Sequence, residues 1–209
     1  MTKLDKEGTF ILDFRLTDCR EQRPSPSLNG FFIRGESLRG GKETRLDRLI
    51  VWLASAGYIG YFPFAPGTAG TIVGVLVYVL FSFLASPIYM LSSVAAFFLA
   101  WWVSGRAEVI FARKDSPKIV IDEVIGYLVT MTLLPRTLTT VIGGFLFFRI
   151  LDIIKPPPAG FIERRMQGGL AVVLDDVVAG IYANFLLQAI AYWHPHLLFI
   201  VDRWFLGPV

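Results

Sequence analysis

Long stretches of the sequence contain only apolar and uncharged polar residues, and these stretches predict its helices. No Asp, Glu, Lys or Arg lies between Arg48 and Arg106. Further uncharged stretches cover residues 124–135, 137–148 and 177–201. A charged side chain at the centre of a bilayer costs about 2.5 to 3.5 kcal/mol, so lipid-facing helices avoid such residues. The pattern therefore predicts an integral membrane protein.

Five hydrophobic segments have the length of helices and carry Pro, Gly or Asp near their ends. They cover residues 71–86, 88–105, 122–134, 138–154 and 175–193. Asp175 and Asp176 are expected to begin the last helix, because carboxylates stabilise a helix N-terminus. The predicted fold class is all-α, with about four to five short hydrophobic helices in a membrane and no internal repeat.

The first part of the chain has a different character. Residues 1–48 carry ten Lys or Arg and eight Asp or Glu residues. Acidic residues interrupt every apolar run there, which excludes a signal peptide. We expect residues 1–48 to form a charged, flexible, cytosolic N-terminal extension and residues 49–209 to form a membrane-embedded domain.

Composition and charge narrow the classes of function. The chain is 54% hydrophobic with a mean hydropathy of +0.57, which excludes a disordered protein. A single cysteine, Cys19, excludes an intramolecular disulfide framework and a Cys-rich metal site. Because 17 acidic residues accompany the 20 basic ones, no nucleic-acid partner is predicted. The sequence indicates no particular protein partner.

The basic residues predict which side of the membrane each loop occupies. Lys and Arg are concentrated before the first predicted helix, at residues 106–118 and at residues 155–165. Two helices separate each basic loop from the next, so all of them fall on one side. Cytoplasmic loops are enriched in Lys and Arg, so this side is predicted to be cytoplasmic.

Acidic residues at the same predicted helix ends are the main functional signal. Three short motifs, IVIDEVIG, FRILDIIKP and GGLAVVLDDVVAG, contain five carboxylates. These are Asp122, Glu123, Asp152, Asp175 and Asp176. If they converge they repel one another, unless a divalent cation or basic groups neutralise them. Oxygen ligands alone favour a hard cation, so all five are predicted as ligands of Mg²⁺. An Asp-Glu pair and an Asp-Asp pair in so uncharged a chain favour a chemical role over simple capping, so all five are also candidate catalytic residues.

Other residues in or near these motifs are candidates for binding an anionic group. Arg149 and Lys155 flank Asp152 and could hold a phosphate. In the segment GYIGYFPFAPGTAGT, glycines let the backbone approach a ligand, and Thr68 could bind phosphate oxygens near a helix N-terminus. As an isolated motif this is weak, and a plain loop or a re-entrant turn is the preferred interpretation of the segment.

Four blocks in this order resemble the phosphatidylglycerophosphatase A family. They are APGTAGT, IVIDEVIGYL, FRILDIIKPPP and GGLAVVLDDVVAGIYAN, and the resemblance covers roughly residues 57–187. It implies Mg²⁺-dependent hydrolysis of phosphatidylglycerophosphate to phosphatidylglycerol and inorganic phosphate, at the cytoplasmic face of the bacterial inner membrane. The resemblance carries over the five carboxylates, Arg149 and Lys155. From the first block it carries over Pro66, Gly67, Thr68 and Gly70.

Two other classes of function account for part of the pattern. A small cation or proton-coupled transporter would use the five carboxylates as an intramembrane relay. A non-catalytic membrane scaffold would tolerate Asn or Gln in their place. For the phosphatase, the sequence leaves open whether one or two metal ions bind, and whether water or a carboxylate is the nucleophile.

Overall fold

The computed structural model describes residues 44–166 and 168–199, and within these ranges it contains seven α-helices and no strand. The helices are α1 (Arg45–Ala54), α2 (Pro66–Ser82), α3 (Ser86–Phe111), α4 (Ile121–Thr130), α5 (Leu138–Ile154), α6 (Ala159–Arg165) and α7 (Gly169–Trp193). Two short 3₁₀ turns, Ile59–Tyr61 and Pro195–Phe199, lie between and after them. The all-α prediction is confirmed. The count of four to five helices is not, since α1 and α6 come in addition.

Helix α5 has the predicted bounds, because both of its ends carry a clear signal. Thr137 precedes it, and its Oγ1 accepts a hydrogen bond from the N–H of Thr140 at 3.1 Å. Such a side-chain cap satisfies an N–H that the helix leaves free. Lys155 ends the helix in the left-handed conformation.

Three other helices differ from the prediction at their ends. Helix α2 begins at Pro66, five residues early, because proline has no N–H to lose in the first helical turn. Helix α3 continues past Arg106 to Phe111, since an exposed charge does not interrupt helical hydrogen bonding. Helix α4 ends at Thr130 rather than at residue 134.

The prediction that Asp175 and Asp176 begin the last helix is wrong. Helix α7 starts at Gly169, directly after Gly168, whose φ of 86° marks the change of backbone direction. The apolar residues between Gly169 and Asp175 continue the same helix. Both aspartates therefore lie in its second turn, where they cannot cap it and where their side chains are buried.

Helix α1 comes from a segment with no predicted helix. Thr44 and Asp47 form a reciprocal capping box at its start, and Ile50 and Ala54 are buried in the bundle. The extension predicted for residues 1–48 lies outside the described residues except for its last five. Of these, residues 45–48 belong to α1.

Helix α4 lies at the centre of the bundle and packs against α2, α3, α5 and α7. Tyr127 and Phe148 are fully buried there, and the Tyr127 hydroxyl donates to the carbonyl of Val141 at 3.0 Å. Helices α4 and α7 approach so closely that a Cβ atom at Gly180 would overlap the carbonyl oxygen of Gly126. This contact fixes how the acidic ends of the two helices face each other.

Helices α3 and α7 are long and apolar enough to cross a membrane by length and composition. The outer surface of α3 exposes Leu91, Val94 and Phe98, which lie three and four residues apart on one helical face. Large exposed apolar patches are rare in soluble monomers and mark surfaces that contact lipid or protein. Helix α2 is a shorter apolar helix of 17 residues.

We expect Gly180→Ala to destabilise the protein by about 1 to 3 kcal/mol, because the added methyl group forces α7 away from the Gly126 carbonyl. Thermal unfolding in detergent measures the effect. Gly105→Ala is the matched control, since its Cβ would meet its nearest atom at 3.5 Å. Equal melting temperatures for the two variants would contradict this account of the α4–α7 contact.

Candidate active site

The predicted carboxylates lie together at one end of the bundle. The N-termini of α2 and α4, the C-terminus of α5 and the second turn of α7 surround a cavity of about 290 Å³. All five predicted carboxylates line this cavity, together with Lys155, Pro66 and Gly67. Segments more than 100 residues apart in sequence thus contribute to one acidic site.

Helix α4 contributes Asp122 and Glu123 from its first turn. Asp122 is 7% exposed, and its Oδ1 accepts a hydrogen bond from the N–H of Glu123 at 3.0 Å. Asp122 thus lies among carboxylates, with Glu123 beside it on the same helix and Asp175 and Asp176 on α7.

Arg149 of α5 holds two of the carboxylates. Its Nη1 lies 3.2 Å from Oε1 of Glu123 and 2.7 Å from Oδ2 of Asp152. Asp152 is three residues further along α5, so both side chains project from one helical face. The Arg149 side chain thereby ties the start of α4 to the end of α5.

Lys155 joins the end of α5 to α7. Its φ of 48° places it in the left-handed conformation that ends the helix, and its N–H donates to the carbonyl of Leu151 at 2.8 Å. Its Nζ lies 2.8 Å from Oδ2 of Asp175. The ammonium group therefore stands at the cavity wall beside a carboxylate.

Three carboxylate oxygens at the site are buried and have no hydrogen-bond partner: Oε2 of Glu123, Oδ1 of Asp175 and Oδ2 of Asp176. A buried acceptor without a donor costs about 1 to 3 kcal/mol, and more when it is charged. A hard cation satisfies such oxygens, so the donor set fits Mg²⁺ in kind. Among the described residues, however, no three acidic, His or Cys side chains are close enough to enclose one ion. Mg²⁺ commonly keeps several waters and takes only one or two carboxylates, so it does not need such a cage.

The first turn of α2 lies directly on the Glu123 carboxylate. A Cβ atom at Gly67 would overlap Oε1 of Glu123, and one at Gly70 would overlap Oε2. Thr68 is half-buried and is not among the residues that line the cavity. A helix turns about 100° per residue, so Gly67 and Gly70 share a face that Thr68 does not. The predicted phosphate contact of Thr68 stays a prediction.

Sequence reasoning missed Asp115 and Ser116, which line the cavity from the loop between α3 and α4. Asp115 has a φ of 46°, and its N–H donates to Oε1 of Glu108 at 2.9 Å. Its position among the basic residues 113–118 made it resemble an ordinary surface charge. The turn-forming sequence Asp-Ser-Pro at residues 115–117, one residue before the IVIDEVIG motif, was the available signal.

Comparison with known proteins gives a consistent set of relatives. A family model described as Phosphatidylglycerophosphatase A matches residues 52–191. A protein of Bacteroides thetaiotaomicron named Putative phosphatidylinositol-3-phosphatase is 34% identical over 64% of this chain and 87% of its own length. Proteins named Phosphatidylglycerophosphatase A from Haemophilus influenzae and Escherichia coli are 32% and 31% identical. These two alignments cover 62% and 73% of this chain, and 80% and 91% of the relatives. No solved structure matches the chain.

We expect Arg149→Met to destabilise the protein by about 2 kcal/mol or more, because Glu123 and Asp152 both lose their cation. Thermal unfolding is the measurement, with the exposed Arg113→Met as control. Adding Asp152→Asn to Arg149→Met is expected to recover part of the loss, since a neutral amide tolerates the absence of the cation. If the double variant lost more stability than the two single variants together, this explanation of the Arg149 ion pairs would be contradicted.

Proposed function

The chain belongs to the phosphatidylglycerophosphatase A family and is a phosphatase, and we propose that it hydrolyses phosphatidylglycerophosphate to phosphatidylglycerol and inorganic phosphate. The observation that carries the proposal is the convergence of five carboxylates and two basic side chains at one cavity. A phosphomonoester brings its own negative charge and so requires cations around it. Lys155 lines the cavity beside Asp175, and Arg149 lies behind it, paired with Glu123 and Asp152.

Mg²⁺ is part of the proposal. The unpartnered oxygens of Glu123, Asp175 and Asp176 would hold it, with Asp122 and Asp152 nearby. A bound Mg²⁺ neutralises phosphate oxygens and stabilises the charge that develops on them during displacement.

The side chains themselves account for positioning and proton transfer. Lys155 orients the phosphate from the cavity wall, while Arg149 keeps Glu123 and Asp152 in place. The nucleophile is either water, with one of the carboxylates taking its proton, or a carboxylate that attacks phosphorus directly. Both routes need a carboxylate with an oxygen that no other side chain occupies, and Asp176 supplies one.

The proposed location is the bacterial cytoplasmic membrane, with several crossings and with the site facing the cytoplasm. The apolar helices α3 and α7 and the apolar outer surface of α3 support this placement. The basic loops at residues 106–118 and 155–165 lie at the same end of the helices as the cavity. Ile153, which is 73% exposed and lines the cavity, would face the lipid part of the substrate.

The nature of the lipid head group is the finer part of the proposal. One relative carries a name that refers to phosphatidylinositol 3-phosphate, whereas two carry the name Phosphatidylglycerophosphatase A. Both substrates are glycerophospholipids with a terminal phosphomonoester. The family match favours phosphatidylglycerophosphate, and a direct comparison of the two substrates decides between them.

Neither the structure nor the comparisons give support to the transporter alternative. A relay would place its acidic residues along the length of the helices, towards both ends. Here they gather at one end, and Lys155 and Arg149 form ion pairs with three of them. This arrangement favours a reaction at the membrane surface over transport through the membrane.

We expect purified wild-type protein in detergent micelles to release phosphate from phosphatidylglycerophosphate only when Mg²⁺ is present and to stop when a chelator is added. Asp176→Asn is expected to lower the rate by about 100-fold or more, because the amide is a poor base and a poor ligand. Asp47→Asn is the control, since Asp47 is an exposed capping residue of α1.

Phosphatidylinositol 3-phosphate is assayed in parallel with the same preparations. A faster rate on that lipid would overturn the choice of substrate but not the phosphatase. Full activity of Asp176→Asn would refute the catalytic role of Asp176, and full activity with chelator would refute the requirement for Mg²⁺. Folded wild-type protein that releases no phosphate from either lipid would favour a non-catalytic scaffold.

The proposed topology predicts the accessibility of introduced cysteines in a Cys19→Ser background. Arg113→Cys lies at the end of the bundle that holds the acidic cavity, and His196→Cys lies beyond the C-terminus of α7 at the other end. A membrane-impermeant maleimide added to intact spheroplasts is expected to label His196→Cys and not Arg113→Cys. The reverse pattern would show that the cavity faces outwards.

A further inference from the structure

A second cavity lies at the end of the bundle opposite the acidic site. It has a volume of about 40 Å³, and its lining includes Tyr78, Ser86 and Arg136. Helix α2 starts at the acidic cavity and reaches this pocket near its C-terminus, whereas α3 starts here, at Ser86. The 17 residues of α2 correspond to a length of about 25 Å, so the two cavities are well separated.

The Tyr78 hydroxyl at this pocket is buried and has no hydrogen-bond partner. Tyr78 is 4% exposed, and its ring lies edge-on to Tyr89 and Tyr127. The other two hydroxyls of this aromatic group are satisfied: Tyr89 donates to the Leu128 carbonyl at 2.6 Å, and Tyr127 donates to the Val141 carbonyl. Because an unsatisfied buried hydroxyl is costly, Tyr78 indicates that the cavity receives an acceptor.

Among the described residues at this end of the bundle, Arg136 supplies a positive charge that no acidic residue balances. It is the only Asp, Glu, Lys or Arg residue between Glu123 and Arg149. The other helical segments at this end are also uncharged, since residues 49–105 and 177–199 contain none of these four residue types. The guanidinium has five N–H donors, and its Nη2 donates to the Leu84 carbonyl at 3.0 Å. An anion is the missing counterpart.

The start of α3 adds a further preference for negative charge. Ser86 is its first residue and lines the pocket, so the backbone N–H of Ser86 lies at this wall, whereas Pro87 has no N–H. Helix N-termini attract anions through their free N–H groups and through the helix dipole. The cavity thus combines a helix N-terminus with a buried hydroxyl donor and a guanidinium.

The rim of the pocket indicates where the anion comes from. Met90 and Leu133 line the cavity and are 45% and 68% exposed, so apolar surface borders the charged group. A volume of about 40 Å³ holds a few oxygen-sized atoms and no complete head group. The oxygens of a phosphodiester fit inside while the glycerol and acyl chains of the same molecule lie against the apolar rim.

We propose that this pocket binds the phosphate group of an anionic phospholipid in the membrane leaflet opposite the active site. The proposal rests on the membrane placement given above and is independent of the reaction at the acidic cavity. The bound lipid would satisfy Tyr78 and neutralise Arg136, and so stabilise the junction of α2, α3 and α4 at this end.

Native mass spectrometry of the full chain in detergent micelles tests the proposal. The probe is dihexanoyl phosphatidylmethanol, a short-chain anionic diester that a phosphomonoesterase does not hydrolyse. Dihexanoyl phosphatidylcholine serves as the zwitterionic comparison, and sodium phosphate serves as the free anion. Arg136→Gln and Tyr78→Phe are expected to weaken phosphatidylmethanol binding about tenfold or more, because each removes a donor to a charged group.

Two matched variants control for side-chain type. Arg113→Gln removes an exposed arginine at the acidic end, and Tyr192→Phe removes the hydroxyl of a tyrosine that is 81% exposed. Both are expected to bind phosphatidylmethanol as wild type does. Phosphate release is measured on the same preparations, so that failure of the phosphatase proposal can be distinguished from failure of the lipid-binding proposal. If wild type hydrolyses nothing, its lipid binding can still be compared with that of the variants.

Unchanged binding in Tyr78→Phe would overturn the proposal, and this variant keeps the ring, so it decides the matter even if Arg136→Gln fails to fold. Equal affinity for phosphatidylcholine would refute the preference for an anionic lipid. Displacement of the lipid by an equal concentration of sodium phosphate would identify a site for free anions instead. Loss of binding in Asp176→Asn alone would place the lipid at the acidic cavity.

Discussion

The Glu123 carboxylate is the group on which the arrangement of the acidic end depends, because three helices meet at it. Helix α4 supplies the side chain, the first turn of α2 covers it at Gly67 and Gly70, and α5 reaches it through Arg149. Any side chain at either glycine would push α2 away, and any loss of Arg149 would leave a buried carboxylate unpaired. The APGTAGT block is therefore explained by packing against a charge. It needs no direct contact with substrate, although Gly67 also lines the cavity.

Charge imbalance follows from this arrangement. The carboxylates that line the cavity outnumber the basic side chains beside them, and Asp122, Asp175 and Asp176 are buried. Carboxylates held together in a protein interior are destabilising unless cations accompany them. Tertiary packing forces them together all the same, since α4 and α7 touch backbone to backbone at Gly126 and Gly180. This imbalance agrees with the proposed function, in which Mg²⁺ and a phosphate would bind together and each would make the binding of the other more favourable.

The sequence predicted the all-α class, the bounds of α5 and the set of acidic residues that meet, because each depends on local signals. Charge spacing and capping residues are read from neighbours a few positions away. What it did not predict depends on contacts distant in sequence. Helix α7 begins at Gly169 rather than at Asp175, so both aspartates lie inside the helix. Their burial is tolerated because Lys155 pairs with Asp175 and both side chains line the cavity, and neither contact can be read from the neighbouring sequence. Asp115 resembled a solvated loop charge, and only the fold places it at the cavity.

The two ends of the bundle differ in charge, and this difference supports the proposed orientation in the membrane. One end gathers acidic side chains with Lys and Arg loops around them, and the other has Arg136 as its only charge among residues 72–105, 124–148 and 177–199. A lone arginine at a membrane boundary is stabilised when a lipid phosphate pairs with it, since hydration there is limited. If the bundle were surrounded by water, the Arg136 guanidinium would be fully hydrated, and a position at this end would not stabilise it. Arg136, Tyr78 and the apolar surface of α3 therefore support the proposed membrane placement through different physical causes.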